Sequence, residues 1–360
     1  MSELYIGVMS GTSLDGIDIV LCEIDSYRCS LLHSYEYSFD KELKTEILEM
    51  INGSTSLREV GIIDNKLGTL FAGSINDFIS RYKLEAKSIQ AIGLHGQTLW
   101  HEPFDKNSFS MQLGDANIVS ARTGLRVVAD FRRMDMANGG QGAPLTPAFH
   151  KEIFKNLNKK TAVLNIGGMA NITLLGEKFK GWDTGCGNVL MDYWSTVCRD
   201  KAYDRDALFA LSGKLDETLL EKLLEDEYFK KPPPKSTGRE YFNPTWLSKH
   251  MPLFQTLKDE DVQRTLLELT AKSIANDINQ TDTELLIVCG GGVKNPLLMQ
   301  RLRELCKMEV KVSDEVDVSS EFIEAMAFAW LAKKRVHNEE VELKSVTGAK
   351  KESILGGIYG

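Results

Sequence analysis

The sequence predicts an α/β protein of two domains, each built on a partly parallel sheet. The chain has 360 residues, which is more than one ordinary hydrophobic core accommodates, so about two domains are expected. Strands alternate with helices late in each half, and that order is typical of a partly parallel sheet. A strand, a glycine-containing turn and a returning strand occupy 4–24 and recur at 161–175, which indicates two halves built on one plan.

The first half is predicted to open with strands at 4–9, 17–24 and 29–38, separated by short turns. The elements expected after them are helices at 41–51 and 57–82, a strand at 89–94, a helix at 116–123 and a strand at 126–130. The Asn-Gly-Gly-Gln-Gly loop at 138–142 cannot pack inside an element and is taken as the boundary. The expected domains are therefore 1–135 and 136–360. The last residues, about 20 of them, are a candidate to pack back on the first domain.

The second half repeats the mixture of strands and helices. Its predicted strands are 161–166, 172–175, 285–289 and 310–312, and its predicted helices are 187–200, 215–224, 262–278, 296–306 and 320–335.

Composition excludes several classes of protein. The chain is 42% hydrophobic and 26% charged, as in soluble globular proteins. No apolar stretch approaches the roughly 20 residues that span a bilayer, so a cytoplasmic protein without a membrane partner is expected. Six scattered cysteines without a CxxC pair argue against a zinc ribbon or a disulfide framework. The formal net charge of -8 argues against a nucleic-acid partner.

The opening turn, GVMSGTSLDGID at 7–18, has the residue types that bind phosphate. It is not a Walker A loop, because Ile17-Asp18 stands where Lys-Ser/Thr is required and a strand follows instead of a helix. Backbone N–H groups and the hydroxyls of 10, 12 and 13 suit phosphate oxygens, and the two aspartates suit Mg²⁺ through water. An ordinary hairpin turn uses the same residue types, so that alternative stays open.

Two further glycine turns, at 165–171 and 289–295, also follow strands. Glycine lets a ligand approach the backbone closely, and the helix that begins at Pro296 favours nearby negative charge. A tight strand-to-helix turn explains one glycine triplet equally well. Three such turns at strand ends favour a phosphate site.

Several short segments, spread in order over the whole chain, form a specific combination. They are GVMSGTSLDGID, LHGQT, ADFR, GGQGAPL, NIGGMANIT, WDTGCGN, PKSTGREYFN, CGGGVKN and EAMAFAWLA. Together they resemble the anhydro-N-acetylmuramic acid kinases, a family of the hexokinase, actin and Hsp70 superfamily. The resemblance implies two RNase-H-like domains, each with a mixed five-stranded sheet flanked by helices, and an active-site cleft between them. It also implies that 1,6-anhydro-N-acetylmuramic acid, ATP and water give N-acetylmuramate 6-phosphate and ADP in bacterial peptidoglycan recycling, with Mg²⁺ as cofactor and a homodimer as a candidate assembly.

The resemblance further implies nucleotide contacts at the three glycine turns, with Asp15 and Asp18 holding Mg²⁺ through water. The expected nucleotide-binding residues are Gly11, Thr12, Ser13, Leu14, Asp15, Gly16, Ile17, Asp18, Asn165, Gly167, Gly168, Gly290, Gly291, Gly292 and Lys294.

The expected reaction needs one general base, because water must attack C1 while O6 leaves and takes the γ-phosphoryl group. Asp183 is the carboxylate best placed for this role, since it ends a strand just before a helix, beside the Trp182 indole and glycines. A competing role for Asp183 is N-capping of the helix at 187–200, for which Thr184 is equally suited.

The sugar carries a lactyl carboxylate and an acetamido group, so it needs a cation and hydrogen-bonding partners. Arg132 is the expected carboxylate partner, because a guanidinium binds both oxygens at once. His95, Gln97 and Thr98 follow the strand at 89–94 and are candidate sugar contacts, as is Glu324 at the head of the last long helix. A purely structural role for His95 remains open.

Other interpretations also remain. Arg133 suits a surface ion pair, and the polar loop at 235–240 suits either a solvated position or one that reaches into the cleft. The same fold serves actin-like and Hsp70-like ATPases, although no peptide-binding domain follows here, and it also serves other sugar or carboxylate kinases.

Overall fold

The computed structural model describes residues 2–360 except 12, 13, 15, 27, 177, 178, 234, 240, 251, 253 and 254. The chain forms two compact units. Unit 1 comprises Met1–Ile153 and Phe322–Gly360, and unit 2 comprises Phe154–Glu321.

The described strands are, in chain order, β1 (Glu3–Ser10), β2 (Gly16–Ile24), β3 (Cys29–Ser38), β4 (Ile89–Leu94), β5 (Gln97–Glu102), β6 (Phe109–Leu113), β7 (Val127–Ala129), β8 (Thr161–Ile166), β9 (Met169–Leu174), β10 (Lys180–Cys186), β11 (Leu285–Cys289), β12 (Glu309–Val312) and β13 (Gly357–Tyr359). The described α-helices are α1 (Lys41–Asn52), α2 (Leu57–Arg81), α3 (Ala116–Thr123), α4 (Arg133–Ala137), α5 (Thr146–Phe154), α6 (Val189–Arg199), α7 (Leu208–Ser212), α8 (Glu217–Leu224), α9 (Glu227–Lys230), α10 (Pro244–Ser248), α11 (Asp259–Ile278), α12 (Pro296–Leu305), α13 (Ile323–Val336) and α14 (Lys344–Thr347).

Unit 1 contains a mixed sheet in the order β13-β7-β4-β1-β2-β3. The strands β7, β4 and β1 run parallel, whereas β2 and β3 continue from β1 as an antiparallel meander. The last strand, β13, adds antiparallel to β7 and makes the sheet six-stranded instead of five-stranded. The end of the chain is therefore an edge strand of the first sheet.

Unit 2 contains a mixed five-stranded sheet in the order β10-β9-β8-β11-β12. Here β8, β11 and β12 are parallel, and β9 and β10 are antiparallel, with β10 on the edge. Two mixed sheets with helices packed on them confirm the predicted α/β fold class.

The division of the chain differs from the boundary expected at residue 135. The glycine-rich loop after α4 belongs to unit 1, because Asp135 accepts hydrogen bonds from Gly142 N and from Thr347 Oγ1, both at 2.8 Å. Helix α5 follows the loop, and its Phe149 ring lies 5.9 Å from the Trp330 ring of α13. Buried polar contacts and aromatic packing thus hold this part of the chain against unit 1, and the division falls after Ile153.

Helix α13 lies directly on the backbones of β1 and β4. A Cβ on Gly7 would lie 1.9 Å from the carbonyl oxygen of Ala325, and one on Gly93 would lie 2.0 Å from that of Phe328. Gly7 and Gly93 are paired across the two strands. Only glycine permits this close approach, and it places the first turn of α13 beside the ends of β1 and β4.

The helices of the described residues include none with both the length and the apolar character needed to cross a membrane.

Candidate functional site

The turn between β1 and β2 is held by its own apolar residues. Leu14 N donates to the carbonyl oxygen of Gly11 at 3.2 Å, and the Leu14 backbone has a φ of 54°. The side chains of Leu14 and Ile17 are 0% exposed and pack in the core of unit 1. Among the expected phosphate-binding residues, these two therefore anchor the turn through their buried side chains. Thr12, Ser13 and Asp15 lie outside the described residues.

Asp18 is the described carboxylate of this turn region. It is half-buried on β2, directly opposite Met9 of β1. Gly16 opens the same strand, and a Cβ there would lie 2.6 Å from Glu36 Oε1. Carboxylate oxygens are hard donors of the type Mg²⁺ prefers, so the donor chemistry at Asp18 fits that ion.

The end of β1 is joined to the start of β5 by a buried hydrogen bond. Ser10 Oγ donates to Gln97 Oε1 at 2.6 Å, and both side chains are buried. Gln97 Nε2 donates to Thr98 O at 3.3 Å, and Thr98 Oγ1 accepts from Gln112 Nε2 at 3.2 Å. Gln97, expected as a sugar contact, is thus 1% exposed and bonded within the protein, whereas Thr98 is half-buried.

His95 and Arg132 form a pair in unit 1, in which His95 is buried and Arg132 is half-buried. Arg132 Nη2 lies 2.8 Å from His95 Nε2. Because a guanidinium only donates, Nε2 must accept, and the imidazole must be neutral with its proton on Nδ1. Burial, and secondarily the charge of Arg132, lowers the pKa of His95 well below its ordinary value. Two of the five residues that were expected to meet the sugar are therefore brought together.

Two other groups complete this cluster. Arg132 Nη1 donates to Gly142 O at 2.8 Å, so each terminal nitrogen retains one further N–H. Burial lowers the pKa of Arg132 to about 10, partly offset by the nearby carboxylate of Glu324. Burial raises the pKa of Glu324, and the positive charge of Arg132 partly offsets that rise. His95, Arg132 and Glu324 form a polar cluster of three expected sugar contacts.

Arg133, the neighbouring arginine, has the surface role that the sequence suggested. Its Nε donates to Asp130 Oδ1 at 3.0 Å, and its side chain is 69% exposed. Consecutive arginines thus have different environments, with one half-buried in a polar cluster and the next in solvent.

In unit 2, the turn Gly167–Gly168 lies against the start of α6. The N–H groups of Asn188 and Val189 donate to the carbonyl oxygens of Gly167 and Gly168, at 2.9 and 3.1 Å. The exposed guanidinium of Arg239 lies over the turn, with Nη2 3.6 Å from the position that a Cβ on Gly168 would take. A cation that sequence reasoning did not include among the site residues therefore covers the second expected phosphate turn.

The third glycine turn lies against the side chain of Asn165, which precedes the second turn. Gly290 has a φ of +85°, and a Cβ there would lie 2.3 Å from Asn165 Oδ1, so glycine is required. The residues Gly291–Lys294 form a short 3-10 helix instead of opening α12 directly. Asn165, Gly290 and Gly291 are therefore close to one another.

The start of α12 and the side chain of Lys294 both contact other residues of unit 2. The N-terminus of α12 is capped by its own chain, because Asn295 Oδ1 accepts from Leu298 N at 2.9 Å. Lys294 Nζ lies 2.6 Å from Glu321 Oε1 in an exposed ion pair. The helix end and the lysine already have protein partners.

Asp183 lies on β10, and one of its carboxylate oxygens accepts two hydrogen bonds. Oδ2 accepts from Ser236 Oγ at 3.0 Å and from Thr237 N at 2.9 Å. The N-cap residue of α6 is Asn188, without a side-chain cap, and Thr184 Oγ1 donates instead to Ala170 O at 3.2 Å. The competing capping role is thus not observed for either residue.

The loop that contains Ser236 and Thr237 also carries a buried hydroxyl group. The hydroxyl Oγ1 of Thr237 is buried and has no hydrogen-bond partner among the described residues, so a ligand or water can bind it. The segment PKSTGREYFN carried the only sequence signal for these residues, and residue types alone did not separate a solvated loop from a site loop.

Comparison with known proteins decides the family. The family model for anhydro-N-acetylmuramic acid kinase matches residues 3–360. The chain belongs to the anhydro-N-acetylmuramic acid kinase family. The resemblance seen in the sequence and the predicted enzyme class are therefore confirmed.

Curated relatives of the same name are similar over their whole lengths. An anhydro-N-acetylmuramic acid kinase of Sulfurimonas denitrificans is 56% identical over 367 residues, covering 100% of both chains. One from a Sulfurovum species is 55% identical over 359 residues, covering 99% of each.

A solved structure is similar in fold alone. Component A of the (R)-2-hydroxyglutaryl-CoA dehydratase of Acidaminococcus fermentans matches with a TM-score of 0.50 and 12% identity, over 93% of this chain and 99% of that one. For this kinase family member, the catalytic chemistry must therefore be argued from its own residues.

Proposed function

We propose that this kinase uses ATP and water to open the 1,6-anhydro ring of 1,6-anhydro-N-acetylmuramic acid and to phosphorylate O6. The products are N-acetylmuramate 6-phosphate and ADP. The substrate arises from bacterial peptidoglycan, so the proposed setting is peptidoglycan recycling in the cytoplasm. Family membership over residues 3–360 supports the substrate class, and the fixed carboxylate of Asp183 supports the hydrolytic step.

Asp183 is proposed as the general base. It takes a proton from water as the water oxygen bonds to C1 and the C1–O6 bond breaks. The O6 electron pair then forms the bond to the γ-phosphorus, and the bond from that phosphorus to the leaving ADP oxygen breaks. A base needs a fixed direction, and two hydrogen bonds to one oxygen, Oδ2, supply it.

The phosphates are proposed to bind at the glycine turns 11–18, 165–168 and 290–294. Phosphoryl transfer depends mainly on positioning and charge neutralisation. Mg²⁺, held through water by Asp18 and by Asp15, would supply part of that neutralisation when bound. Arg239 is proposed to supply another part, because its guanidinium already lies over Gly168.

The sugar is proposed to bind at the polar cluster of unit 1. Arg132 keeps N–H groups for the lactyl carboxylate, and its bond to His95 fixes the plane of the guanidinium. Glu324 and Thr98 are proposed to form hydrogen bonds with the polar groups of the sugar. Gln97 contributes through its buried bond to Ser10, which sets the position of the turn.

The deciding experiment uses ¹⁸O-labelled water with ATP, Mg²⁺ and 1,6-anhydro-N-acetylmuramic acid. The proposal expects one ADP for each sugar phosphate, with label at C1 and none in the phosphoryl group. Because a reducing sugar exchanges its C1 oxygen with water, unlabelled N-acetylmuramate 6-phosphate incubated in the same labelled water gives the background.

Two results would contradict the proposal. Efficient phosphorylation of N-acetylmuramic acid, with no turnover of the anhydro sugar, would indicate an ordinary hydroxyl kinase. ATP hydrolysis that proceeds equally without any sugar would favour an actin-like or Hsp70-like ATPase. The variant Asp183→Asn should bind ATP normally and lose at least about a thousandfold in kcat; wild-type kcat would refute the base.

A further inference from the structure

The strand that carries Asp183 is an edge strand, and its outer side is covered by a loop. Because β10 ends the sheet of unit 2, the backbone groups on its outer side have no strand partner. Asp183 N donates to Lys235 O at 3.0 Å, and Asp183 O accepts from Tyr228 Oη at 2.8 Å. The backbone N–H of the proposed base is thus bonded to the segment 235–237, and its backbone carbonyl is bonded to Tyr228 of α9.

The segment begins with a buried ion pair. Lys235 Nζ lies 3.0 Å from Asp277 Oδ2, and the two side chains are 3% and 8% exposed. Trp182 Nε1 donates to the same Asp277 oxygen at 2.9 Å, and the Tyr228 ring centroid lies 5.2 Å from Lys235 Nζ. A buried charge is costly unless it is paired and hydrogen-bonded. The geometry therefore gives Lys235 one well-defined position.

Neighbouring side chains point to opposite sides both on β10 and on the segment 235–237. Trp182 reaches inward to Asp277, while the next residue, Asp183, presents its carboxylate to the segment. Lys235 is likewise buried, whereas Ser236 is exposed and donates to Asp183 Oδ2. The contacts of Trp182 and Lys235 with Asp277 hold two stretches of backbone. The next residues of the same two stretches, Asp183 and Ser236, are hydrogen-bonded to each other.

We propose that the segment 235–237, anchored by the Lys235–Asp277 ion pair, is a positioning element that orients the carboxylate of Asp183 through Ser236 and Thr237. The proposal rests on the proposed function, because it assumes that Asp183 is the base. The residues act through Asp183 and are positioning residues. The buried pair also explains why the loop contains a lysine that does not reach solvent.

The first test replaces Ser236, whose exposed side chain can be changed without disturbing the core. Ser236→Ala should lower kcat about tenfold, the effect of losing one hydrogen bond to a charged group, and leave KM for ATP and for the sugar within about twofold. Ser236→Thr keeps the hydroxyl and should restore most of kcat. Ser248→Ala is the matched control, because Ser248 is an exposed serine of unit 2 whose Oγ donates to Thr245 O at 2.8 Å.

A second test addresses the anchor. Lys235→Met alone would leave the Asp277 carboxylate buried and unpaired, and the protein would be at risk of unfolding. The double variant Lys235→Met/Asp277→Asn removes both charges and keeps an acceptor for Trp182. It should remain folded by circular dichroism and thermal unfolding, lose about tenfold or more in kcat, and keep KM for ATP.

The deciding measurement repeats Ser236→Ala in the Asp183→Asn background. Residues that act as one unit are strongly non-additive, so the residual kcat of Asp183→Asn should change by less than about twofold on adding Ser236→Ala. An equal tenfold loss in both backgrounds, or wild-type kcat for Ser236→Ala, would overturn the positioning role and leave the base intact. Wild-type kcat for Asp183→Asn itself would instead refute the proposed base, and the positioning role with it.

Discussion

Arg132 and Arg133 are adjacent in sequence, yet the half-buried side chain of Arg132 lies in a polar cluster and that of Arg133 lies in solvent. Arg132 contacts His95 and Gly142, and Arg133 pairs with Asp130 at the surface. If Arg132 binds the sugar carboxylate, Arg132→Ala should raise KM for the sugar by tenfold to a hundredfold, the effect of losing about 1.5–3 kcal/mol of charged hydrogen bonding.

The matched control for that prediction is Arg133→Ala. Exposed ion pairs contribute only about 0–1 kcal/mol, so this variant should keep KM for both substrates and nearly all of its stability. An unchanged KM for the sugar in Arg132→Ala, measured by ADP release at several sugar concentrations, would remove the proposed contact.

A separate prediction concerns the pH dependence of stability that His150 causes. Burial lowers the pKa of His150 from 6.5 to about 3, and the side chain is 3% exposed. Below pH 6.5 the unfolded chain binds a proton at this position and the folded chain does not, so stability falls as the pH falls. The loss between pH 7 and 5.5 should be about 1 kcal/mol.

Urea unfolding of the wild type and His150→Gln at pH 7 and 5.5 isolates this contribution. The glutamine does not titrate in this range, so the variant should lose about 1 kcal/mol less than the wild type over the same interval. Equal losses in the two proteins would contradict the assignment. The comparison cancels the opposite contributions of acids whose pKa burial raises, such as Asp64 and Glu324.

Sequence reasoning identified only part of the candidate site. It selected His95, Arg132 and Glu324, which the structure brings together, because residue chemistry and the family resemblance both pointed to them. It did not select Ser236, Thr237 or Arg239, because polar residues after prolines are equally typical of a solvated loop. Their positions depend on the fold of a distant helix that carries Asp277, which local pattern does not reveal.

At the scale of elements, helix α13 depends on two glycines in the strands beneath it. Gly93→Ala would place a Cβ 2.0 Å from the backbone oxygen of Phe328, and backbone cannot move aside as a flexible side chain can. The variant should lose at least about 1–3 kcal/mol of stability, the usual effect of overpacking. The displacement of α13 should also raise KM for the sugar, because Glu324 lies in its first turn.

Gly73→Ala is the matched control, since Gly73 lies in the exposed part of α2 and a Cβ there meets nothing within 4 Å. Alanine has the higher helix propensity, so this variant should gain about 0.5–1 kcal/mol. Thermal unfolding of the two variants measures both effects, and a Gly93→Ala protein as stable as the wild type would refute the close packing.

Elements with strong periodicity were predicted well. The helix expected at 57–82 is α2 (Leu57–Arg81), and the strand expected at 285–289 is β11 (Leu285–Cys289). The hairpin of β5 and β6 was missed, because exposed apolar residues, Trp100 at 49% and Phe109 at 43%, break the alternation that identifies a strand. The short β13 was also missed, since only its pairing with β7 makes it a strand.

At the scale of the whole molecule, the two units differ in continuity. Unit 2 is one uninterrupted stretch, Phe154–Glu321, whereas unit 1 needs Phe322–Gly360 in addition to its first stretch. The returning part supplies α13, which covers β1 and β4, and β13, which completes the sheet edge. The sequence predicted two domains and offered about the last 20 residues as a candidate to pack back on the first, whereas the returning part begins at Phe322 and includes α13. The extent of the return depends on contacts between residues far apart, which periodicity cannot show.

This difference predicts unequal behaviour of fragments. Residues 154–321 have their own hydrophobic core, so this fragment should fold alone and unfold cooperatively in urea. Residues 1–153 alone would expose the face of the sheet that α13 covers, and should remain unfolded or aggregate. Coexpression of 1–153 with 322–360 should give a folded complex, whereas 322–356, which lacks β13, should give a less stable one. A cooperative transition for 1–153 alone would show that α13 is dispensable for unit 1, contrary to the close contacts at Gly7 and Gly93.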